Sequence, residues 1–520
     1  MGDEIWRLSA LEAREGLDAG AFTSEALVGA YFDRMSEMNG TLNAVVHRFD
    51  DAALTRAKEA DAARAVGELW GPLHGLPVTI KESMSTAGVA STMGLVSRRD
   101  QPAPEDAVTV KLLKEAGAIV IGKTNVPQFL LCNETTNFIW GTTRNPFDLT
   151  RVPGGSSGGE AAAIASGMSL WGVGTDIGGS IRVPAAYCGI AALKPTVDRW
   201  SNVGSYTALM GQEVIRGQCG PMARTAADVA FMFRAIDGPL HSPHDPGVPP
   251  LTTTDPETID LSRLRVGYFS DDGYLPAARS LARAVTEATE LLGACGAELR
   301  PYSPPSQPEL MDTYYGALSS DGGEVIKRLA GRDEVIGQLK QLRRTAELPA
   351  PLRKTAAWIL GRKGEARMAR LLSVLGPKPV HRYWDLTSKR TALRLEALKA
   401  WDAAGLDVVI CPAHATPALA HMQSADFSTG GTYAMRYNLL NFPAGVVGIS
   451  TVRPTETERA APTDRVERAA AAVEEGTAGL PLGVQVVARP FREDLVLAVM
   501  MALEAGAREK DDFPLTPVVR

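Results

Sequence analysis

Apolar residues recur along this chain with two periods. From Ala26 to Arg64 they fall near every 3.6 residues, with Leu27, Ala30, Tyr31 and Met35 on one side, and the spacing predicts a helix. Leu73 to Ile80 (LHGLPVTI), entered through Gly71-Pro72, reads as a short strand. A helix is expected from about Asp106 to Ala116, stopped by Gly117, and the following AIVIG is a buried strand by length and β-branching. LRVGYFS (264–270) and LDVVICP (406–412) are further strands, each paired with a long helix. LPLGVQVVA (480–488) leads into a last helix near Arg492. Alternating helices and buried strands point to an α/β protein with a largely parallel central sheet. No repeat and no clean linker divides the chain. One domain over residues 1–520 is therefore expected, although 520 residues would suggest three to four by length alone. Two stretches depart from the pattern. Arg453 to Ala478 is polar and Ala/Glu-rich, an exposed helical or loose insertion, whereas residues 141–195 interleave Gly, Ser and Pro with apolar residues, as loops do where backbone approaches a ligand.

Composition narrows the functional classes. Apolar residues make up 45% and charged residues 22%, the balance of a globular protein rather than a fibre, coiled coil or disordered chain. With 54 basic and 60 acidic residues the net charge is −6, which supplies no basic field for nucleic acid. Cys132, Cys188, Cys219, Cys295 and Cys411 are an odd, widely spaced set and read as buried thiols of a reducing compartment. The start, MGDEIWRLSA, lacks a signal-peptide pattern, and Trp6 stands where myristoylation needs Ser or Thr. The longest uncharged apolar stretch, Ala161 to Thr175, is too short to span a bilayer. A cytoplasmic protein, at most peripheral at a membrane, is expected.

The densest chemical signal is PGGSSGGE (153–160) followed by GTDIGGSIRVP (174–184). The amides of Ile177, Gly178, Gly179 and Ser180 could converge on one point, and glycines there remove Cβ atoms that would block a substrate. Such amides stabilise a developing oxyanion by about 3–4 kcal/mol per donor, so Ser180 reads as a nucleophile beside its own oxyanion hole. A serine hydroxyl needs a base, yet no histidine lies between His74 and His241. Lys81 ends an apolar strand, and desolvation lowers a lysine pKa toward the range of a base. Ser156 could bridge the two. By itself a lysine after a strand is more often a solvated end residue, and a Gly/Ser loop more often a turn or anion nest. GxSxG also occurs at Gly154–Gly158, but DLTRVPGG before Ser156 is not the strand that a nucleophile elbow requires. Neither a Walker pattern nor GxGxxG is present, which leaves a nucleotide-binding reading weak.

GLPVTIKE (75–82), PGGSSGGEAAAIASG (153–167) and GTDIGGSIRVPAAYCGIAALKP (174–195) together resemble the serine–serine–lysine pattern of the amidase signature family, in order and spacing. The resemblance implies Lys81 as base, Ser156 as bridging serine and Ser180 as nucleophile, with a cis Gly155–Ser156 peptide. Thr175, Asp176 and Arg182 match the same motif and are expected to hold the nucleophile loop; for Arg182 a purely structural ion pair is an equal reading. The implied fold is an α/β amidase signature fold, a large mixed, mostly parallel β-sheet covered by helices on both faces. No metal or organic cofactor is implied.

Within the family, TNVPQ (124–128), YNLLNFPAGVVGISTV (437–452) and GLPLGVQVVARPFREDL (479–495) are most similar to fatty acid amide hydrolases. Aligned without gaps between Lys81 and Ser180, Leu130 and Leu131 fall where those enzymes line the acyl site. Residues 300–400 resemble them least and are expected to form a helical region. Inside it, residues 341–376 carry Arg343, Arg344, Arg353, Lys354, Arg362, Lys363, Arg367 and Arg370 against Glu347 and Glu365. Trp358, Ile359 and Leu360 lie among these charges, and Met368, Leu371, Leu372 and Leu375 make an apolar stripe; the segment either lies in a membrane interface or packs inward under a solvated basic face. The likeness implies a serine hydrolase of fatty acid amides. A broad acyl or aryl amidase and the glutaminase subunit of a tRNA-dependent amidotransferase are the alternatives. The expected partner is a small amide, with no nucleic acid, and a homodimer is the assembly to test.

Overall fold

Strands buried on both faces are predominantly apolar, and PLGVQVVA and PVTIK are buried at every position. The computed structural model describes residues 4–340, 344, 348–425 and 427–518. Its centre is an eleven-stranded sheet. In chain order the strands are β1 (Val45–Arg48), β2 (Pro77–Lys81), β3 (Ile119–Thr124), β4 (Trp171–Asp176), β5 (Ala191–Lys194), β6 (Gln218–Ala223), β7 (Arg265–Tyr268), β8 (Glu298–Pro301), β9 (Val408–Pro412), β10 (Ala444–Thr451) and β11 (Pro481–Ala488). They lie side by side as β1-β3-β2-β4-β6-β5-β10-β11-β9-β7-β8, so both halves of the chain enter one sheet.

The expected α/β class, a mixed sheet between helices, is observed. Parallel pairing is confined to two wings, β3-β2-β4 and β9-β7-β8, and the other six of ten pairs are antiparallel. The middle of the sheet departs from parallel order because β5, β6, β10 and β11 are joined by loops and excursions that return the chain reversed, as residues 195–217 do between β5 and β6. Neighbouring residues of one strand face opposite layers. Ala192 packs with Ala161, Ile164, Ile181 and Ala185, while Ala191 and Leu193 join the larger core on the other side.

The pattern between Ala26 and Arg64 resolves into two helices, α1 (Ser24–Leu42) and α2 (Asp50–Ala65), with β1 between them. Asn43 ends α1 with φ 52°, a left-handed conformation that asparagine tolerates, and Asp50 and Asp51 favour the start of α2. The polar stretch after Arg453 is packed rather than loose, because a helix over Arg465–Glu474 buries Val466, Ala470 and Val473. Of the cysteines, Cys188, Cys219 and Cys411 are buried as expected, whereas Cys132 is partly exposed and Cys295 exposed.

Three helices close to the loop that carries Ser180 matter for the site: α3 (Gly158–Ala165), α4 (Arg182–Tyr187) and, from the distant helical region, α5 (Gln307–Leu318). That region continues through α6 (Ala350–Arg362), α7 (Ala366–Val374) and α8 (Val380–Ala404), and α9 (Thr432–Leu440) follows β9. The stripe Met368–Leu375 packs inward: Leu372 and Leu375 are buried and Met368 rests on the core. Its basic neighbours are paired, Arg367 with Asp464 and Glu467, and Arg370 with Asp312. The stripe's apolar side chains thus face the protein interior, whereas Trp358 and Ile359 of the same segment are exposed. Arg343 and Glu347 lie outside the described residues.

Candidate active site

Two adjacent parallel strands bring Lys81 and the loop that carries Ser180 to the same end of the sheet. β2 ends at Lys81 and β4 at Asp176, and parallel neighbours place their carboxyl ends together, where loops of α/β sheets build sites. Lys81 is fully buried. Its Nζ donates to Ser156 Oγ at 2.7 Å, Ser157 Oγ at 2.9 Å and Thr175 Oγ1 at 2.8 Å, with Thr175 O at 3.3 Å. Burial lowers the Lys81 pKa to about 7, against the nearby carboxylates of Asp176, Glu160 and Glu82, which favour its charged form. At neutral pH a large share of Lys81 is thus an uncharged amine.

Glu160 is the nearest of these acids to the serine motif. Thr79 Oγ1 donates to it, Thr124 Oγ1 donates to it at 2.6 Å, and burial raises its pKa to about 7. The Gly155–Ser156 peptide is cis, as the resemblance implied. Ser156 and Ser180 line one cavity, and Ser157 N–H donates to Ser180 O at 3.0 Å, which fastens the two serine loops together.

The loop after β4 is held by an ion pair with no exposed atoms. Arg182 Nε donates to Asp176 Oδ2 at 2.9 Å and its Nη2 to Oδ1 at 3.0 Å. Its remaining donors reach Ala434 O at 3.0 Å, Gln485 Oε1 at 2.6 Å and Asn438 Oδ1 at 2.7 Å, so all five guanidinium N–H groups are used. Arg182 thus ties Asp176, at the start of the loop, to helix α9 and strand β11. Despite complete burial, Arg182 holds the Asp176 carboxyl well below the usual carboxylate range. Asp176 in turn accepts from the amides of Gly179 at 2.8 Å and Ile181 at 3.1 Å.

That contact corrects the expected set of oxyanion donors. The Gly179 amide is committed to Asp176, whereas among the described residues those of Ile177, Gly178 and Ser180 donate to no protein acceptor. Gly179, with φ 110°, turns the chain, and Ile177, Gly178 and Ser180 line the cavity beside it.

Two cavities meet at Ser180. One, of about 230 Å³, is mainly apolar and runs from Ser180 past Leu130 and Leu131 to Ile326, Leu339 and Leu375. The other, of about 370 Å³, contains Ser156, Thr175 and the polar side chains Asp198, Glu213, Arg216 and Asp245. Leu130 and Leu131, chosen by alignment, line both. Sequence reasoning missed Ser157, Glu160, Tyr314, Asn438 and Gln485. The first two stand within PGGSSGGE and could have been found there; the last three come from remote segments with no local signal.

Comparison with known proteins bears on the family and the fold. A family model described as Amidase matches residues 26–497. The chain is similar to fatty-acid amide hydrolase 1 of Sus scrofa, 36% identical over 493 residues, covering 94% of this chain and 83% of that protein. It is 32% identical over 514 residues to fatty acid amide hydrolase 1 of Caenorhabditis elegans, covering 98% and 90%. A solved structure of a fatty acid amide hydrolase superposes with a TM-score of 0.83 at 26% identity, over 96% of this chain and 85% of that one.

Proposed function

The chain belongs to the amidase family and is an amide hydrolase, and on that premise we propose that it cleaves fatty acid amides through a Ser180 acyl-enzyme, with Lys81 as base and Ser156 as relay. The observation that carries the lipid reading is the junction of an apolar and a polar cavity at Ser180. An acyl tail fits the first, and an amine head group the second.

In this reading neutral Lys81 takes the Ser156 hydroxyl proton as Ser156 takes that of Ser180. Ser180 Oγ then bonds to the amide carbon, whose π electrons move onto oxygen and are held by the free amides of Ile177, Gly178 and Ser180. As the tetrahedral species collapses, the proton returns from Lys81 through Ser156 to the departing nitrogen, and the C–N bond breaks. Water attacks the acyl-enzyme by the same relay, giving the free acid and restoring Ser180. Lys81 suits both directions because its pKa lies near the operating pH.

A second observation favours access from a lipid surface. Leu352, Trp358 and Ile359 on α6 and Val380 and Trp384 on α8 are exposed, in the helical region that also walls the apolar cavity. Among the described residues no helix is long and apolar enough to cross a membrane. We propose peripheral contact through these residues rather than through the Met368–Leu375 stripe.

The test is hydrolysis of primary amides from acetamide to long-chain members, with Ser180→Ala as blank. The reading requires kcat/KM to rise with chain length and Ser180→Ala to abolish turnover. A maximum at short or aryl acyl groups would select the broad amidase instead.

A further inference from the structure

A peptide unit is planar and trans, so its C=O and N–H point in opposite directions. Fixing a carbonyl oxygen therefore aims the following amide. Each of the three free amides at Ser180 has such an anchor on its far side. Asn438 Nδ2 donates to Asp176 O at 3.4 Å, which orients the Ile177 N–H. Val183 N–H donates to Gly179 O at 2.7 Å, which orients that of Ser180. The third anchor is Tyr314 of α5, whose hydroxyl donates to Ile177 O at 3.0 Å, opposite the Gly178 N–H.

We propose that Tyr314 is a positioning residue for hydrolysis, aiming the Gly178 amide at the oxyanion; this rests on the reading of Ser180 as nucleophile. A second, independent observation supports it. A Cβ on Gly178 would collide with Tyr314 Oη, so the absence of a side chain there is what lets the hydroxyl reach the neighbouring carbonyl. The tyrosine is also fixed in place. It is buried, its ring meets Tyr315 edge-on at 5.5 Å, and its hydroxyl lies in an apolar wall that keeps the phenol neutral and able to donate. Of the three anchors, Val183 belongs to the motif's own helix and Asn438 to the buried Arg182 network. Tyr314 alone belongs to the wall of the apolar cavity.

Tyr314→Phe keeps the ring and removes only the donor. The expected result is a fall in kcat of about tenfold, less than the hundredfold or more of a deleted oxyanion donor, with KM unchanged within about twofold. A long-chain trifluoromethyl ketone, which forms an oxyanion on Ser180, should lose affinity by the same factor. The corresponding secondary alcohol, which fills the cavity without forming an oxyanion, should bind as before. Both affinities are measured on protein whose thermal midpoint has been recorded, so that misfolding is recognised. Unchanged kcat, a rise in KM alone, or equal weakening of ketone and alcohol would overturn the proposal and leave Tyr314 as cavity wall. Failure of the underlying reading is a separate result, namely full activity of Ser180→Ala in the otherwise native chain.

Discussion

If Lys81 acts as the base, the pH profile of hydrolysis follows from its burial. An ordinary lysine, with a pKa of 10.5, is neutral in about one molecule in three thousand at pH 7, whereas at a pKa of about 7 half the molecules carry the base. Burial thus raises the population of competent enzyme by about three orders of magnitude. Because the active form is the deprotonated one, log kcat/KM should climb with unit slope up to about pH 7 and level off above it. Glu160 titrates near the same pH, so the limb must be assigned to one group. Glu160→Gln does this: an amide can still pair with the Thr79 and Thr124 hydroxyls while the charge is gone. The carboxylate favours charged Lys81, so its removal should move the limb to lower pH. Lys81→Ala should cost at least about a thousandfold and abolish the limb. The assay is kcat/KM for one soluble amide from pH 5 to 9 in constant ionic strength. A flat profile, a limb near pH 10, or a limb that vanishes in Glu160→Gln would refute the assignment.

Other outcomes follow from the same geometry. Arg182→Met strands Asp176 as an uncompensated buried charge and should cost about 3–5 kcal/mol in denaturant unfolding. Leu131→Trp narrows the apolar cavity and should lower kcat/KM for long-chain amides by about tenfold or more while sparing acetamide, read from the chain-length series. In the polar cavity Arg216 pairs with both Asp198 and Glu213, and among the described residues Asp245 has no cationic partner. An N-acylglycine should therefore react about tenfold more slowly than the N-acylethanolamine of the same chain, and Asp245→Asn should narrow the gap. Replacing Trp358 and Trp384 together by Ala should reduce sedimentation with lipid vesicles without changing kcat on a soluble amide; unchanged sedimentation would remove the membrane contact.

The sequence made the strands legible because burial on both faces leaves little but apolar residues in them, as in LDVVICP and LPLGVQVVA. It misjudged their mutual direction, since periodicity says which faces are buried and nothing about how the chain returns between β5 and β6. Lys81, Ser156, Ser180 and Thr175 were legible because they stand in three short motifs whose glycines and serines have little other use. Gly179 was assigned to the oxyanion hole by position, but Asp176, three residues earlier, accepts its amide. Tyr314, Asn438 and Gln485 were not legible. Each reaches the site through the fold from 130 or more positions away, and a single tyrosine in a helix carries no mark of the carbonyl it will meet. The stripe at Met368–Leu375 shows the same limit, because an amphipathic period reports an apolar face without saying whether lipid or protein covers it.

The anchoring of the nucleophile loop has a consequence for synthesis of the chain. Ser180, Ser156 and Lys81 are all made early, yet the groups that fix the loop arrive with Tyr314, Asn438 and finally Gln485 of β11, near the carboxyl end. On the proposed mechanism, a nascent chain on the ribosome carries Ser180 and Lys81 long before the residues that fix the Ser180 loop. If Ser180 is the nucleophile, hydrolysis begins only once Gln485 of β11 has entered the sheet, so turnover reports that the sheet has closed around the Ser180 loop.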